Sequence, residues 1–483
     1  MSAAHASESS AEERGVSKRK ERERMMDRAI QLRRRYGGYG AVALMALLFG
    51  CVTVLTGCDD DGLFSRFRLK PEEVVLERTP DQNYEKLFPY YVDLCTVSQT
   101  AEVDGSRGNP FGHAALYIKG ACKDEDAPFP QLRRCRRIAT DTHDPEHGAG
   151  VSVNRWFRSV NWVAVPGYDL FFEGNLKPGE RLTQAKVDAT VRDAVDKGVF
   201  KGVEVSDRWV RNPEQTSIYD FAANSSITTD FALRYARNVF CTRVPVPEPV
   251  LDEVIAFLND KNTEYATGKA DYHWNLISDN CVHTVRNALA AANFWSPYSV
   301  RRVKLLHLLQ LAVPAHEFVN LAVLATEGDG ELDDYRQLYR DDPMRDALND
   351  FKWLPTRHGA LVKTLPVHEP NDIFRTEFRL FTLQSPLSMG KRADTVRVLS
   401  EKRNVDLETN LQYFLDRYNA ILATHKEEFD SMATVRGTPF RRFSRVYRDY
   451  IVEQRDDVEA KLAQLAALKQ APAAEPVVDA QPR

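Results

Sequence analysis

The sequence predicts an α+β fold in which helices pack against a small antiparallel sheet. Two patterns carry this prediction: short apolar runs rich in aromatic and β-branched residues occur early in the chain, and longer segments with a helical apolar period follow them. A chain of 483 residues that is 43% hydrophobic and 28% charged has the composition of a folded globular protein. Its net charge of -4 gives no argument for nucleic acid, so no nucleic-acid partner is expected.

Strand-like runs predict the sheet. Residues 90–98 (YYVDLCTVS) and 111–118 (FGHAALYI) are short and rich in aromatic and apolar residues, as strands are. Residues 161–172 (NWVAVPGYDLFF) indicate two strands with a Pro-Gly turn between them. A further short strand is expected at residues 151–154 (VSVN). Because these runs are short and separated by turn signals, we expect an antiparallel arrangement.

Helical patterns dominate the rest of the chain. The segments with a helical apolar period are residues 183–197, 248–259, 280–293, 407–429 and 450–469. In the third of these (NCVHTVRNALAAAN), Asn280 is a good N-cap, so Cys281 is predicted to be the first helical residue. Beyond residue 301 the chain is expected to be mostly helical. Residues 470–483 are rich in Pro and Ala and are predicted to be disordered.

The N-terminus has the pattern of a secretory signal. An uncharged apolar run at residues 41–56 follows three arginines and precedes three aspartates. The run is shorter than the roughly 20 apolar residues that a membrane-spanning helix needs. The end of this run and the two residues after it read Leu55-Thr56-Gly57-Cys58, which resembles the lipobox of bacterial lipoproteins. An uncleaved signal anchor is the alternative, and in either case the positive charge keeps the N-terminus in the cytoplasm and the bulk of the chain outside it.

The lipobox resemblance implies a location. Cys58 would be the lipidated residue, and acyl chains on it would hold the protein at a bacterial membrane facing the periplasm. Asp59, directly after Cys58, resembles the inner-membrane retention signal of enteric bacteria, so the inner membrane is favoured. The membrane, through Cys58, is therefore the expected partner.

The cysteine count points to disulfides and one remaining thiol. Of seven cysteines, two lie in the signal peptide and lipobox. Thiols in an oxidising compartment tend to pair, and an odd number leaves one over. Cys122 and Cys135 bracket a short polar loop and are one candidate disulfide, and Cys95 and Cys241 are a second. That choice would leave Cys281, although spacing alone does not determine the connectivity.

Two short motifs carry residues suited to chemistry. The first is Gly112-His113 in a predicted strand, and the second is Cys281 at a predicted helix N-terminus. The partial positive charge of a helix N-terminus lowers the pKa of a thiol, and an imidazole beside it can act as base and acid. The backbone N–H of Cys281 or of Val282 is a candidate donor to an oxyanion. These are the parts of a cysteine hydrolase or acyltransferase; for Cys281 alone, a buried structural thiol is the alternative.

A Gly-His strand followed much later by Asn-Cys at a helix start resembles the circularly permuted papain-like (NlpC-type) thiol enzymes. That group includes the lecithin:retinol acyltransferase-like proteins, and the resemblance covers residues 90–295. It implies Cys281 as nucleophile and His113 as base, with residues 272–276 as an aromatic approach to the cysteine. A third polar residue usually orients the histidine in such proteins. The candidates are Asn154, Asn161 and His147, and Asn154 is favoured.

The organisation expected from these observations has four parts. They are a signal peptide with a polar extension (1–57), a permuted papain-like domain (58–300), a helical region (301–469) and a disordered tail (470–483). The expected function is that of a cysteine hydrolase at the cell envelope, acting on amide bonds of peptidoglycan peptides. The alternatives are a lipid acyltransferase or phospholipase of the same fold and a non-catalytic scaffold lipoprotein. No cofactor or metal is expected, because Pro145 between His143 and His147 does not suit a helical ligand pair.

Overall fold

The structure is a computed structural model that describes most of the chain from residue 64 onward. The described ranges are 64–68, 81–98, 100–101, 108–109, 112–169, 181–204, 237–275, 279–297, 313–365, 379–383, 390–434 and 437–470. All of them belong to one compact unit, formed by residues 64–300 and 304–483. The predicted signal peptide, the predicted lipidation site Cys58 and the predicted tail from residue 471 lie outside the described ranges. Within those ranges, no helix is both long and apolar enough to cross a membrane.

A six-stranded antiparallel sheet is the centre of the fold. The strands of the described ranges are β1 (Phe64–Arg68), β2 (Tyr91–Val97), β3 (Thr100–Ala101), β4 (Gly108–Asn109), β5 (His113–Lys119), β6 (Ala121–Lys123), β7 (Leu132–Arg134), β8 (Gly148–Val153), β9 (Trp162–Pro166), β10 (Val239–Pro245), β11 (Leu361–Leu365) and β12 (Arg379–Leu383). In the central sheet the order is β11, β10, β2, β5, β8, β9. The strands predicted at 90–98 and 111–118 are β2 and β5, so the predicted antiparallel sheet is confirmed.

Helices cover the sheet and build the remainder of the described chain. They are α1 (Asp81–Leu87), α2 (Gln184–Asp196), α3 (Glu248–Ala266), α4 (Cys281–Ala291), α5 (Pro314–Thr326), α6 (Tyr335–Arg340), α7 (Asp342–Phe351), α8 (Lys391–Ser400), α9 (Lys402–Val405), α10 (Leu407–Thr424), α11 (Lys426–Ala433) and α12 (Pro439–Gln470), with a 3₁₀-helix at Gly328–Asp333. The predicted helices correspond to α2, α3, α4, α10 with α11, and α12. Asn280 caps α4 as predicted.

One face of the sheet forms an apolar core. Because side chains alternate along a strand, Val92 and Leu94 of β2 point to the same face as their partners Ile118 and Leu116 of β5. These side chains are fully buried with the apolar faces of α3, α4 and α5. Burial of each large aliphatic side chain contributes roughly 1.5–3 kcal/mol. This packing fixes α4 against β5.

The opposite face carries a buried network of charges. Asp93 on β2 and Arg243 on β10 form a bidentate pair, with N–O distances of 2.8 and 2.7 Å. Glu85 on α1 forms an ion pair with Lys119 of β5, and Nε2 of His147 lies 3.4 Å from the same carboxylate. Burial and the charge of Lys119 lower the pKa of His147 to about 3. His147 is therefore neutral at pH 7 and belongs to this network.

The chain from residue 304 onward is part of the same compact unit as residues 64–300. β11 adds an edge strand to the central sheet by pairing with β10, and β12 pairs with β1. The described part of this region is mostly helical, as predicted, and these two strands are the exceptions. Each is only five residues long, and its pairing partner lies far away in sequence, so no local pattern marks it.

Both candidate disulfides are formed. Cys95 and Cys241 lie directly opposite each other on β2 and β10 and are bonded across the two strands. Cys122 on β6 is bonded to Cys135, which follows β7. Cys281 is the free cysteine of the described residues. The predicted division into two pairs and one remaining thiol is confirmed for these five cysteines.

Candidate active site

Cys281 lies at the capped N-terminus of α4. The Oδ1 atom of Asn280 accepts hydrogen bonds from the backbone N–H groups of Val282 (2.9 Å) and His283 (3.3 Å). The Nδ1 atom of His283 lies 2.9 Å from the same oxygen. A cap oxygen with three such contacts holds the first helical turn in one conformation. The position of the cysteine is therefore set by a rigid element.

His113 is the first residue of β5, and its place depends on the glycine before it. Gly112 has a φ of +71°, in the left-handed region that favours glycine. A Cβ atom at this position would lie 2.5 Å from the carbonyl oxygen of Val97. A side chain at residue 112 would therefore push the chain away from β2. Gly112 allows the close approach that puts His113 at this end of the sheet.

The Cys281 sulfur lies against the start of β5. Backbone groups of Ala114, Val282 and Cys281 itself form hydrogen bonds that favour the sulfur anion. Ala114 directly follows His113, so helix α4 and strand β5 bring the two predicted catalytic residues into one site. No hydrogen bond joins the sulfur and the imidazole of His113 among the described residues.

Ser152 on the neighbouring strand holds the imidazole of His113. Its Oγ atom lies 2.7 Å from Nε2 of His113, and both side chains are buried. In the pairing of β5 with β8, Ser152 is directly opposite Ala115, so it is a diagonal neighbour of His113 on the same face. This contact occupies Nε2 and leaves Nδ1 as the ring nitrogen that could exchange a proton with the thiol.

Asn154 does not have the role that the sequence analysis assigned to it. Continuing the register of β5 and β8 would place Asn154 opposite His113, but β8 ends at Val153. The Oδ1 atom of Asn154 instead accepts a hydrogen bond from the backbone N–H of Trp156 at 2.9 Å, in the turn that follows. Asn154 and His113 form no hydrogen bond with each other. β8 ends one residue before Asn154, and it is Ser152, two residues earlier, that contacts the imidazole of His113.

The other two candidates for orienting His113 have partners elsewhere. The Nδ2 atom of Asn161 donates to Oγ1 of Thr284 at 3.1 Å, which ties β9 to helix α4. His147 is hydrogen-bonded through Nδ1 to the hydroxyl of Tyr117, inside the charged network on the sheet. Both residues therefore stabilise elements near the site, and neither forms a described hydrogen bond with the His113 imidazole.

Arg237 brings a buried positive charge to the site. It lies just before β10, and its Nε donates to the carbonyl oxygen of Ser98 at 3.0 Å, just after β2. Its side chain is fully buried. The guanidinium interacts electrostatically with the Cys281 thiol and with His113. No sequence pattern singles out this arginine, because it precedes its strand and belongs to no motif.

Burial determines the resting charges of the pair. Burial raises the pKa of the Cys281 thiol above its ordinary value, and this effect outweighs the backbone hydrogen bonds and the charge of Arg237, which lower it. Burial and the charge of Arg237 lower the pKa of His113 to about 3. The predicted lowering of the thiol pKa was therefore wrong. At neutral pH the site holds a neutral thiol beside a neutral imidazole.

The two backbone donors predicted for an oxyanion differ in what they already bind. The N–H of Val282 donates to the cap oxygen of Asn280, so it is not available as a dedicated oxyanion donor. The N–H of Cys281 contacts its own sulfur in the structure, and it is the remaining backbone candidate. The hydroxyl of Tyr272 is buried, has no hydrogen-bond partner among the described residues and interacts electrostatically with the thiol. Tyr272 belongs to the predicted aromatic approach to the cysteine and is a second potential donor.

Comparisons with known proteins do not identify a family. No family model matches the chain, no curated protein matches it, and no solved structure matches it.

Proposed function

We propose that this protein is a cysteine hydrolase of the cell envelope, with Cys281 as nucleophile and His113 as base. The observation that carries the proposal is the meeting of two separate elements. A thiol at a capped helix N-terminus lies against the strand that begins with His113, whose imidazole is held by Ser152. In a catalytic pair, both side chains are expected to be held in place by neighbouring groups, since a nucleophile and its base must be oriented together. The permuted papain-like arrangement inferred from the motif order is part of this proposal.

The first step of the proposed reaction forms a thioester. As the Cys281 sulfur bonds to the substrate carbonyl carbon, its proton passes to Nδ1 of His113. The tetrahedral intermediate then collapses, the carbon–nitrogen bond breaks, and His113 returns the proton to the leaving amine. The imidazole is unprotonated above a pH of about 3, so its ring nitrogen is open to a proton, but the same low pKa makes it a weak base in the resting site.

The second step releases the acyl group. Water attacks the thioester carbonyl, His113 accepts a proton from that water, and the carbon–sulfur bond breaks as the thiol regains a proton. The negative charge on the carbonyl oxygen in each tetrahedral intermediate would be stabilised by the N–H of Cys281 and the hydroxyl of Tyr272. Because both donors lie in a buried site, their hydrogen bonds to a developing charge are stronger than in water.

The proposed substrates are amide bonds of peptidoglycan peptides. The support for this class is the lipobox-like sequence ending at Cys58, which would tether the enzyme within reach of the cell wall. Lipid acyl transfer or phospholipid hydrolysis would also use Cys281 as the nucleophile. A non-catalytic scaffold would carry out none of these reactions. These possibilities are separated by measurement of products.

The test uses the full-length protein in detergent micelles, with Cys281→Ala as the control. Purified peptidoglycan and phospholipid vesicles are offered separately, and released peptides, fatty acids and lysolipids are measured by mass spectrometry. We expect peptides from peptidoglycan with the native protein and none with Cys281→Ala. If only fatty acid is released, the proposed substrate class changes from peptide amides to lipid esters. No Cys281-dependent product from either substrate would overturn the hydrolase and leave a scaffold.

A further inference from the structure

The end of the sheet where His113 begins is also where two other strands bring their termini. β2 runs antiparallel to both β5 and β10, and Val97 is opposite His113 on one side and Val239 on the other. The C-terminal end of β2 therefore lies between the N-terminal ends of β5 and β10. Cys281, at the start of α4, lies at the same end of the sheet, where its sulfur contacts the backbone of Ala114.

The link between β2 and β10 continues past the ends of the two strands. The N–H of Ser98 donates to the carbonyl oxygen of Asn238 at 2.8 Å, and the N–H of Asn238 donates to Oγ of Ser98 at 2.9 Å. One residue further, Nε of Arg237 donates to the carbonyl oxygen of Ser98. The Cys95–Cys241 disulfide joins the same two strands three residues away from Ser98. The backbone that carries Arg237 is thus firmly attached beside His113.

We propose that Arg237 is a positioning residue that controls the charges of the Cys281–His113 pair. Its fixed guanidinium stabilises the sulfur anion as the anion forms and disfavours protonation of the imidazole. The inference rests on the proposed function for its catalytic meaning, but the measurements that test it follow the reactivity of the thiol alone. A buried charge has this influence because little water is present to screen it.

Two other titratable groups of the described residues near the pair, Tyr272 and Arg286, do not supply a comparable charge. Tyr272 lies on the segment before α4, and burial raises the pKa of its phenol well above the ordinary value, so it is neutral. Arg286, further along α4, is paired with Glu317 of α5 at 2.6 Å, so this pair has no net charge. Within the described part of the chain, the charge of Arg237 acts on both Cys281 and His113.

The test is the rate of Cys281 alkylation by iodoacetamide as a function of pH, measured by peptide mass spectrometry on the full-length protein. Because the thiol pKa is raised, the rate is expected to be low near neutral pH and to increase into the alkaline range. In Arg237→Gln we expect alkylation at pH 8 to be slower by roughly tenfold, because a favourable buried charge is lost. Arg237→Lys keeps the charge and is expected to remain within about threefold of the native rate.

Two results would overturn the proposal. One is a folded Arg237→Gln protein, verified by circular dichroism, whose pH profile for alkylation matches that of the native protein. The other is an Arg237→Lys profile shifted as far as that of Arg237→Gln, since the charge would then not be the cause. Neither result depends on hydrolysis, so failure of this inference is distinguishable from failure of the proposed function.

A second measurement needs no variant and therefore does not depend on folding of Arg237→Gln. The native protein is treated with iodoacetate, which is an anion, and with neutral iodoacetamide, and the ratio of the two rates at Cys281 is compared with that of N-acetylcysteine. A positive charge beside the sulfur raises this ratio above the value for the free thiol. A ratio at or below the free value would contradict the assignment of Arg237.

Discussion

Replacing His113 by alanine is expected to reduce amide hydrolysis by about 10²–10⁴-fold, the usual contribution of a general acid–base group. The same change is expected to leave alkylation of Cys281 by iodoacetamide within about twofold of the native rate. The reason is that the imidazole is neutral at rest, because its pKa is about 3, so its removal takes no charge away from the thiol. Hydrolysis requires proton transfer through the ring, whereas alkylation requires only the thiolate.

The expected contrast is between two measurements on one variant. Product release from peptidoglycan and the pH dependence of alkylation are followed with the same preparation of His113→Ala. Alkylation that falls in parallel with hydrolysis would show that His113 sets the thiolate fraction. Such a result would contradict the neutral pair derived from the structure.

Ser152 and Asn154 offer a matched pair of smaller changes. Ser152→Ala removes the 2.7 Å contact to Nε2 of His113, and loss of one hydrogen bond of about 1 kcal/mol corresponds to about a fivefold loss of hydrolysis rate. Asn154→Ala removes a contact to the backbone of Trp156 and is expected to change the rate less. The reverse order would restore Asn154 as the orienting residue.

Loss of the Cys95–Cys241 disulfide is expected to lower the free energy of unfolding by about 5 kcal/mol, against about 3 kcal/mol for Cys122–Cys135. The difference follows from the sequence separations, which are 146 and 13 residues, because a cross-link that closes a longer loop removes more entropy from the unfolded chain. Each effect is measured by urea unfolding of the double alanine variant of that pair, with the other disulfide intact.

The difference in free energy of unfolding between the two double alanine variants tests whether loop closure explains the stabilisation. Both variants leave Cys281 as it is, so thiol chemistry at the site does not confound the measurement. Equal losses of stability would show that native-state packing around the sulfurs, and not loop closure, dominates. A Cys122–Cys135 variant less stable than the Cys95–Cys241 variant would contradict the account directly.

The parts of the site that could be predicted are those with strong local signals. Asn280 before an apolar helical period predicts a capped helix with Cys281 first, and the structure has that helix. Gly112-His113 in a short apolar run predicts a strand, and β5 begins at His113. In both cases the signal lies within about ten residues of the side chain that it positions.

The parts that could not be predicted depend on partners far away in sequence. Ser152 is recognisable only from the register of β5 and β8, and Arg237 only from the meeting of β2 and β10 beyond their ends. The pKa of Cys281 likewise depends on how deeply several elements bury the sulfur. A helix N-terminus alone indicated a lowered pKa, but burial reversed that direction.

The measurement that tests the central claim most directly is acylation of Cys281 by p-nitrophenyl acetate, an activated ester that requires no knowledge of the natural substrate. The full-length protein is mixed with the ester at pH 8, quenched in acid and mapped by peptide mass spectrometry. We expect one acetyl group on Cys281, removable by hydroxylamine, and slower deacetylation in His113→Ala, because activation of water requires the imidazole whereas p-nitrophenolate leaves without a proton. An unmodified Cys281, or ester cleavage by Cys281→Ala at the native rate, would contradict the claim that this thiol and imidazole form a catalytic pair.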